Sequence, residues 1–346
     1  MKAAILGTTG YTGMVLLRLL ARHPRITEII PASSSQAGTP LSDFDRGLSS
    51  SILDKIPGGK LTGIEDALHA KPEVVFAALP HLTSAEVCGP FFGQAVVIDL
   101  SADFRIKDAR LFAKAYGQEP KRQDLLAKAA YGLAEWYRGE IAAADLIANP
   151  GCYPTATLLP LLPLYKAGLV KGTAVVNALS GVSGAGRGAK INNLFCERAE
   201  NANAYSPGTS HRHASEILHI LAREAGGGPE PRLLFTPHLV PLKQGMAVTS
   251  VVELAGPAGP GEIAEALGRA YAGCPFVELK GRTIPETRDV RWSNRIDLGW
   301  QVEGDRLMLF SVIDNLLKGA SGQAVQNMNI RFGFDESEGL SRHGEF

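Results

Sequence analysis

At 346 residues with 45 % hydrophobic side chains, the chain is too long for a single core and too apolar for disorder, so two domains are expected. Lys plus Arg and Asp plus Glu both number 35, and a zero net charge gives nucleic acid or a membrane surface no electrostatic hold. The chain shows no apolar run of the ~18–20 residues a bilayer needs, no signal-peptide plan and no CxxC pair among Cys88, Cys152, Cys196 and Cys274, which predicts a cytoplasmic protein without disulfides.

The first element is an apolar strand over residues 2–6. It runs into Gly7-Thr8-Thr9-Gly10-Tyr11-Thr12-Gly13 and leaves as a leucine-rich helix over 14–22, with Arg18 and Arg22 on its polar side. A second strand, 26–32, ends in Ser33-Ser34-Ser35. Further strands are predicted over 73–79, closed by Pro80, and over 95–100. Strands alternating with helices predict a parallel sheet with right-handed crossovers, an α/β, Rossmann-like domain. The texture changes after about Asn149. Valine-rich runs at 173–178, 247–253 and 307–312, separated by Gly/Pro loops, predict a second, α+β domain with a large sheet. Residues 335–346 form a polar tail expected to fray.

A strand-to-helix turn with three glycines suits a dinucleotide. Glycine permits close backbone approach, and a helix N-terminus offers free N–H groups to a pyrophosphate. The spacing here is GxxGxxG rather than GxGxxG, and a plain glycine turn is the bland alternative. About twenty residues on, NAD sites place an acid for the ribose hydroxyls, whereas this chain has Ser33, Ser34 and Ser35 and no acid before Asp43. Hydroxyls tolerate a phosphate, so NADP is expected over NAD. The alternative is that the serines only cap a turn.

Asn149-Pro150-Gly151-Cys152-Tyr153-Pro154-Thr155 precedes an apolar stretch, 156–164. Pro154 suits a first helical turn, which puts Cys152 at a helix N-terminus, where the dipole favours thiolate. Pro160 and Pro163 predict that this helix is kinked or short. The other three cysteines read as buried small hydrophobes. For a proton carrier the candidate is His211 of His211-Arg212-His213, with His213 read as a scaffold residue. The rival is a metal site of His211, His213 and Glu216, with no further ligand cluster in evidence, so no metal is expected. Two loops carry guanidinium groups fit for phosphate or carboxylate: residues 180–187, with Ser183, Gly184 and Arg187, and 99–105, with Arg105. A surface ion pair of Arg105 with Asp103 or Asp108 is the alternative there.

These residues resemble the N-acetyl-gamma-glutamyl-phosphate reductase family. The motifs run through nearly the whole chain: GTTGYTG (7–13), ALPH (78–81), DLSADFR (99–105), NPGCYPT (149–155), SGVSGAGR (180–187), HRH (211–213), FTPHLVP (235–241) and DNLLKGASGQAVQNMN (314–329). The resemblance implies a semialdehyde dehydrogenase type of fold. Residues 1–149 would bind the dinucleotide, residues 150–313 would serve catalysis and oligomerisation, and a helix over about 314–330 would return to the first domain. It implies that Cys152 attacks an acyl phosphate, that NADP(H) serves the resulting thioester, and that His211 activates the thiol and shuttles a proton. Ala78, Leu79, Pro80, Ser183, Gly184 and Asn315 would join the glycine turn around the cofactor, and Arg105, Asn149 and Arg187 would face the substrate. It also implies a homo-oligomer, dimer or tetramer. Leu82, Ala134 and Ala214-Ser215 depart from the usual glycine, proline and Thr-Pro. The alternatives are the aminoadipyl homologue of the substrate, an aspartate-semialdehyde dehydrogenase-like enzyme, a thiol acyltransferase or hydrolase, and a silent nucleotide sensor.

Overall fold

Short apolar runs at the N-terminus pair as strands because both faces can be covered. In the computed structural model, which describes residues 1–225 and 230–344, they are β1 (Lys2–Leu6), β2 (Glu28–Ala32), β3 (Val74–Ala77), β4 (Val96–Asp99), β5 (Ala130–Tyr131) and β6 (Leu146–Ala148). All pair parallel, in the order β2-β1-β3-β4-β6-β5. β3 and β4 are buried along their whole length, as continuous runs such as Val-Val-Phe-Ala require. Pro31 is tolerated because β2 is an edge strand. β5 and β6 are two and three residues long, too short for any periodicity to announce them.

This sheet belongs to a unit made of residues 1–112, 118–150 and 320–340. Its last helix, Gly322–Arg331, is buried from Gly322 to Ile330 although four of those residues are Gln or Asn with bonded side chains. Gln323 and Asn327 donate to the Gly132 carbonyl at 2.7 and 2.8 Å, Gln326 donates to Glu135 at 2.9 Å, and Asn329 pairs with His23 at 2.9 Å. The tail expected to fray is instead tied down as far as Leu340. The Asn329 amide donates to the carbonyls of Glu336 and Glu338, and Arg25 pairs with Glu338 at 3.0 Å. Composition could not show these bonds. Glu345 and Phe346, the end of that tail, lie outside the described residues.

The second unit holds residues 113–117, 151–319 and 341 onward. Its strands are β7 (Val170–Ser180), β8 (Asn203–Ala204), β9 (Arg232–Leu239), β10 (Met246–Leu254), β11 (Val277–Gly281), β12 (Ile296–Glu303) and β13 (Arg306–Ile313), in the order β11-β12-β13-β10-β7-β9-β8. Exposure alternates along β7 and β10, the mark of a sheet covered on one face. The covering element is the helix Cys152–Lys166. On the opposite face Val175, Leu179 and Leu234 remain exposed. The prediction of a kinked or short helix fails: it runs unbroken for 15 residues with Pro160 and Pro163 inside. Every residue from Tyr153 to Tyr165 is buried. Five leucines at ~1.5–3 kcal/mol each outweigh two prolines at ~3 kcal/mol each. No helix among the described residues is long and apolar enough to cross a membrane.

Candidate active site

In the order β2-β1-β3 the chain leaves β1 toward one side of the sheet and β3 toward the other, so the carboxyl ends of these two strands flank the crevice where such sheets bind ligands. The glycine turn follows β1, and Ala78-Leu79-Pro80 follows β3. Gly7 has φ +86°, and a Cβ there would collide with the Ala78 carbonyl. A Cβ on Gly13 would strike the Gly7 carbonyl and the Thr8 backbone. The helix Tyr11–Arg22 starts at once, three residues earlier than predicted, with Gly10 as an N-cap that has no side chain to bond the first N–H groups. Tyr11 is exposed, and the Thr12 carbonyl accepts the Ser321 hydroxyl at 2.9 Å. This cradle of bare backbone at a helix N-terminus fits a pyrophosphate. In the serine triplet, Ser33 is buried and its hydroxyl accepts the Ser35 N–H, the turn role of the alternative reading. Ser34 and Ser35 are exposed.

The 99–105 loop is a buried polar network. Asp99 accepts the Ser101 N–H and hydroxyl at 2.9 and 3.0 Å. Asp103 accepts the N–H groups of Leu82 and Ala85 at 2.7 and 2.9 Å. Leu82 has φ +68°, which accounts for the glycine usual at that position, and Asp103 holds it there. Burial, with Asp103 nearby, pushes Asp99 up to about 6. The same surroundings push the Cys88 thiol up, the behaviour of a buried hydrophobe. Arg105 is buried and donates to the Leu100 carbonyl at 2.9 Å, so it is not a surface group. Asn149 is buried too: its amide donates to the Ala320 carbonyl at 3.2 Å and its oxygen accepts from Asn327 at 3.0 Å.

In the second unit, Cys152 is the first residue of its helix and Gly151 the N-cap. The Gly151 N–H donates to Glu216 at 3.1 Å, and a Cβ on Gly151 would enter the His213 ring. On another side, a Cβ on Gly319 would lie 2.7 Å from the Cys152 Cβ. Two glycines therefore allow close packing beside the cysteine, the His213 ring on Gly151 and Gly319 on Cys152 itself, and the cysteine remains partly exposed. Cys196 is exposed and Cys274 partly so, against the expectation that both are buried.

His211 is the N-cap of the helix Arg212–Glu224, and its Nδ1 accepts the His213 N–H at 3.2 Å. Its ring packs edge-on against Tyr153, Tyr205 and Phe235, with centroids 5.4–5.5 Å away. Burial, with Arg212 adding, lowers His211 to about 4. The Tyr205 hydroxyl donates to that of Tyr153 at 3.0 Å, which donates to the His238 carbonyl at 3.3 Å. Burial raises both phenols, Tyr205 to about 12, and negative charge on Cys152 acts in the same direction. Sequence reasoning missed this cage, for Tyr205 and Phe235 share no spacing with Cys152, and only Tyr153, its neighbour, offered a signal. Among the described residues no three His, Cys, Asp or Glu side chains converge as a metal would need.

Asn315 joins two loops. Its oxygen accepts the Gly245 N–H at 2.7 Å, and its amide donates to the Ser183 hydroxyl at 2.9 Å. Gly184 gives room to the Ser180 hydroxyl, and Arg187 is exposed at the end of this loop. The helix expected over about 314–330 does not begin as an α-helix. Residues Leu317–Ser321 form a π-helical turn, and the α-helix starts at Gly322. Just ahead of this turn, the Asp314 carboxylate accepts the Leu316 and Leu317 N–H groups.

The chain matches the semialdehyde dehydrogenase NAD binding domain over residues 2–144 and the semialdehyde dehydrogenase dimerisation domain over 152–315. It is 44 % identical over 349 residues to the N-acetyl-gamma-glutamyl-phosphate reductase of Azotobacter vinelandii, covering 99 % of this chain and 98 % of that one. Identity to the same enzyme of Dehalococcoides mccartyi is 42 % over 342 residues, covering 98 % and 97 %. Among solved structures, aspartate semialdehyde dehydrogenase II from Vibrio cholerae, complexed with ASA, superposes with a TM-score of 0.71 at 20 % identity, covering 96 % and 98 %. The aspartate semialdehyde dehydrogenase of Candida albicans, with NADP, gives 0.68 at 16 %, covering 95 % and 97 %. At these identities the structures speak for the fold alone.

Proposed function

The chain belongs to the N-acetyl-gamma-glutamyl-phosphate reductase family, and we propose that it reduces N-acetyl-gamma-glutamyl phosphate to N-acetyl-L-glutamate 5-semialdehyde, releasing phosphate and oxidising NADPH. The placement of Cys152 on an open helix N-terminus, with glycine on two sides, carries this reading.

The Cys152 thiolate attacks the acyl carbon. The carbon–oxygen bond to phosphate breaks, phosphate leaves with the electron pair, and a thioester remains. NADPH, when bound, would supply the hydride that reduces the thioester carbon. The hemithioacetal then loses its hydroxyl proton, the carbon–sulfur bond breaks, and Cys152 leaves as thiolate with the aldehyde as product. Residues 7–13 and 78–80 hold the cofactor, with Ser34 and Ser35 tolerating its extra phosphate. Arg105 and Arg187 serve the substrate's anionic groups.

The role of His211 departs from the expectation of a base that activates the thiol. Because Nδ1 accepts the His213 N–H, the neutral ring carries its proton on Nε2 and donates there. A neutral imidazole at a helix N-terminus, kept neutral by burial, polarises a carbonyl oxygen and steadies the oxyanion that forms. The thiol's proton passes to the His213 imidazole, whose ring lies against Gly151, the residue before Cys152.

The dimerisation-domain match and the exposed Val175, Leu179 and Leu234 support a homo-oligomer formed through the outer face of β7 and β9. The zero net charge gives nucleic acid no purchase, and the cysteine pattern fits the cytoplasm. The relatives' names favour the glutamyl chain over the aminoadipyl homologue.

The test is the reverse reaction: N-acetyl-glutamate semialdehyde, phosphate and NADP, followed by absorbance of the reduced cofactor. Turnover is expected from the wild-type chain, and none from C152S, with cofactor binding retained. Silence from the wild type, or activity in C152S, would sink the reading.

A further inference from the structure

A π-helical turn is rare and frequently marks a functional site. The one at Leu317–Ser321 has a visible cause and a visible consequence. The cause is Asp314, fully buried and held by five hydrogen bonds from four donor groups. Its Oδ1 accepts the N–H groups of Leu316 and Leu317 at 2.9 and 3.1 Å, its Oδ2 accepts the Trp292 N–H at 2.9 Å, and the Gln244 amide donates to both oxygens at 2.7 Å. The carbonyl of the same residue accepts the Gly319 N–H at 3.0 Å, the five-residue step that defines the turn. Trp292 is itself held at φ +64°, a strained region for a bulky residue. The consequence is Gly319, whose missing side chain lets the turn close onto Cys152. A Cβ there would lie 2.7 Å from the Cys152 Cβ and 3.3 Å from its Cα, closer than atoms pack.

We propose that Asp314 and Gly319 are positioning residues for the Cys152 thiol: Asp314 forces the π-turn, and the turn presses the bare face of Gly319 against the cysteine. The proposal rests on Cys152 being the nucleophile. Gly319 touches the cysteine backbone and Cβ, so it fixes where the sulfur points without taking part in the chemistry. Asp314 acts through the turn. A plain helix at this place would carry Gly319 away and leave the thiol free to rotate. Neighbouring Asn315 clamps the 180–187 loop to Gly245, which gives the pair 314–315 two separate tasks.

The test reads thiol reactivity apart from turnover. Iodoacetamide is the probe, and modification of Cys152 is followed by peptide mass, so that Cys196 and Cys274 do not contribute. G319A is expected to slow alkylation of Cys152 by ~10-fold or more and to lower kcat by at least as much, with KM for NADP unchanged. D314N keeps an oxygen for Leu316 and Leu317 but loses the bond to Trp292, so it is expected to show a smaller loss than D314A. Wild-type alkylation and kcat in G319A, or in D314A, would overturn the proposal for that residue.

Should G319A fail to fold, the double variant C152G/G319A decides. Removing the cysteine Cβ removes the collision, so the double variant is expected to fold and melt within a few degrees of C152G. If it fails as well, the lesion lies elsewhere and the proposal falls. Turnover by C152S would instead refute Cys152 as nucleophile and leave the contact between positions 152 and 319 standing, so the two failures are distinguishable.

Discussion

The backbone N–H of His213 donates to Nδ1 of His211 at 3.2 Å, and this bond fixes which ring nitrogen of His211 can act. The proton of the neutral ring sits on Nε2. With its acidity constant at about 4, His211 stays neutral through the ordinary range of enzyme assays. The acid limb of kcat/KM is therefore expected to show no titration near 6.5 from this residue. H211N should lower kcat by ~10²–10³-fold, in keeping with loss of one oxyanion donor, while leaving the rate of Cys152 alkylation close to wild type. H213N should do the reverse, slowing alkylation at neutral pH. The opposite pattern in the two variants would exchange their roles.

The same depression bears on stability. The folded state binds a proton to His211 more weakly than the unfolded chain does, so stability present above pH 6.5 is lost as pH falls toward 4. In denaturant titrations H211N should flatten that part of the profile. An unchanged slope between pH 6.5 and 4 would count against the buried, neutral ring.

Asp99 titrates with the opposite sign. Its folded value of about 6 lies above the unfolded one, so its contribution is fully present below pH 3.8 and is lost as pH rises through 6. D99N is expected to stabilise the protein at pH 7–8, by an amount on the order of 2 kcal/mol, and to do little at pH 4. Urea midpoints at the two pH values test this, and equal shifts at both would refute it.

The glycine turn makes a steric prediction. G13A would drive a Cβ into the Gly7 carbonyl and the Thr8 backbone, so NADP binding should weaken by ~10-fold or more while Cys152 alkylation is unaffected. Fluorescence titration with NADPH measures the first, peptide mass the second. Undiminished binding would remove the turn from the cofactor site.

Cofactor preference falls on the exposed serines. Ser33 is buried in its own turn, so S34D and S35D are expected to weaken NADP more than NAD, whereas S33A should weaken both through the turn. Paired dissociation constants decide. Equal effects in S34D would strip the triplet of its proposed role.

Much of this was legible from the residues. Strand, glycine turn and helix followed one another in the sequence as they do in the fold, because the glycines serve a local backbone need. Cys152 stood out for its Gly-Pro flanks, again a local signal. The π-turn was hidden: Asp314 bonds two residues nearby, but also Trp292 and Gln244, which no spacing relates to it. The long helix behind Cys152 was misjudged since proline rules are local, while burial from Tyr153 to Tyr165 is a property of the whole unit. The polar tail was misread for a similar reason, since the Asn329 amide of the preceding helix holds it through the carbonyls of Glu336 and Glu338.

Gly151 and Gly319 leave only hydrogen atoms at two positions beside the cysteine. Selectivity toward electrophiles then becomes a question of bulk. A slim haloacetamide and a broad maleimide of equal intrinsic reactivity would be separated by the walls around the sulfur, not by its acidity. Covalent ligands for this protein should be ranked by cross-section before they are ranked by warhead strength, and a single methyl group at position 319 would reorder that ranking.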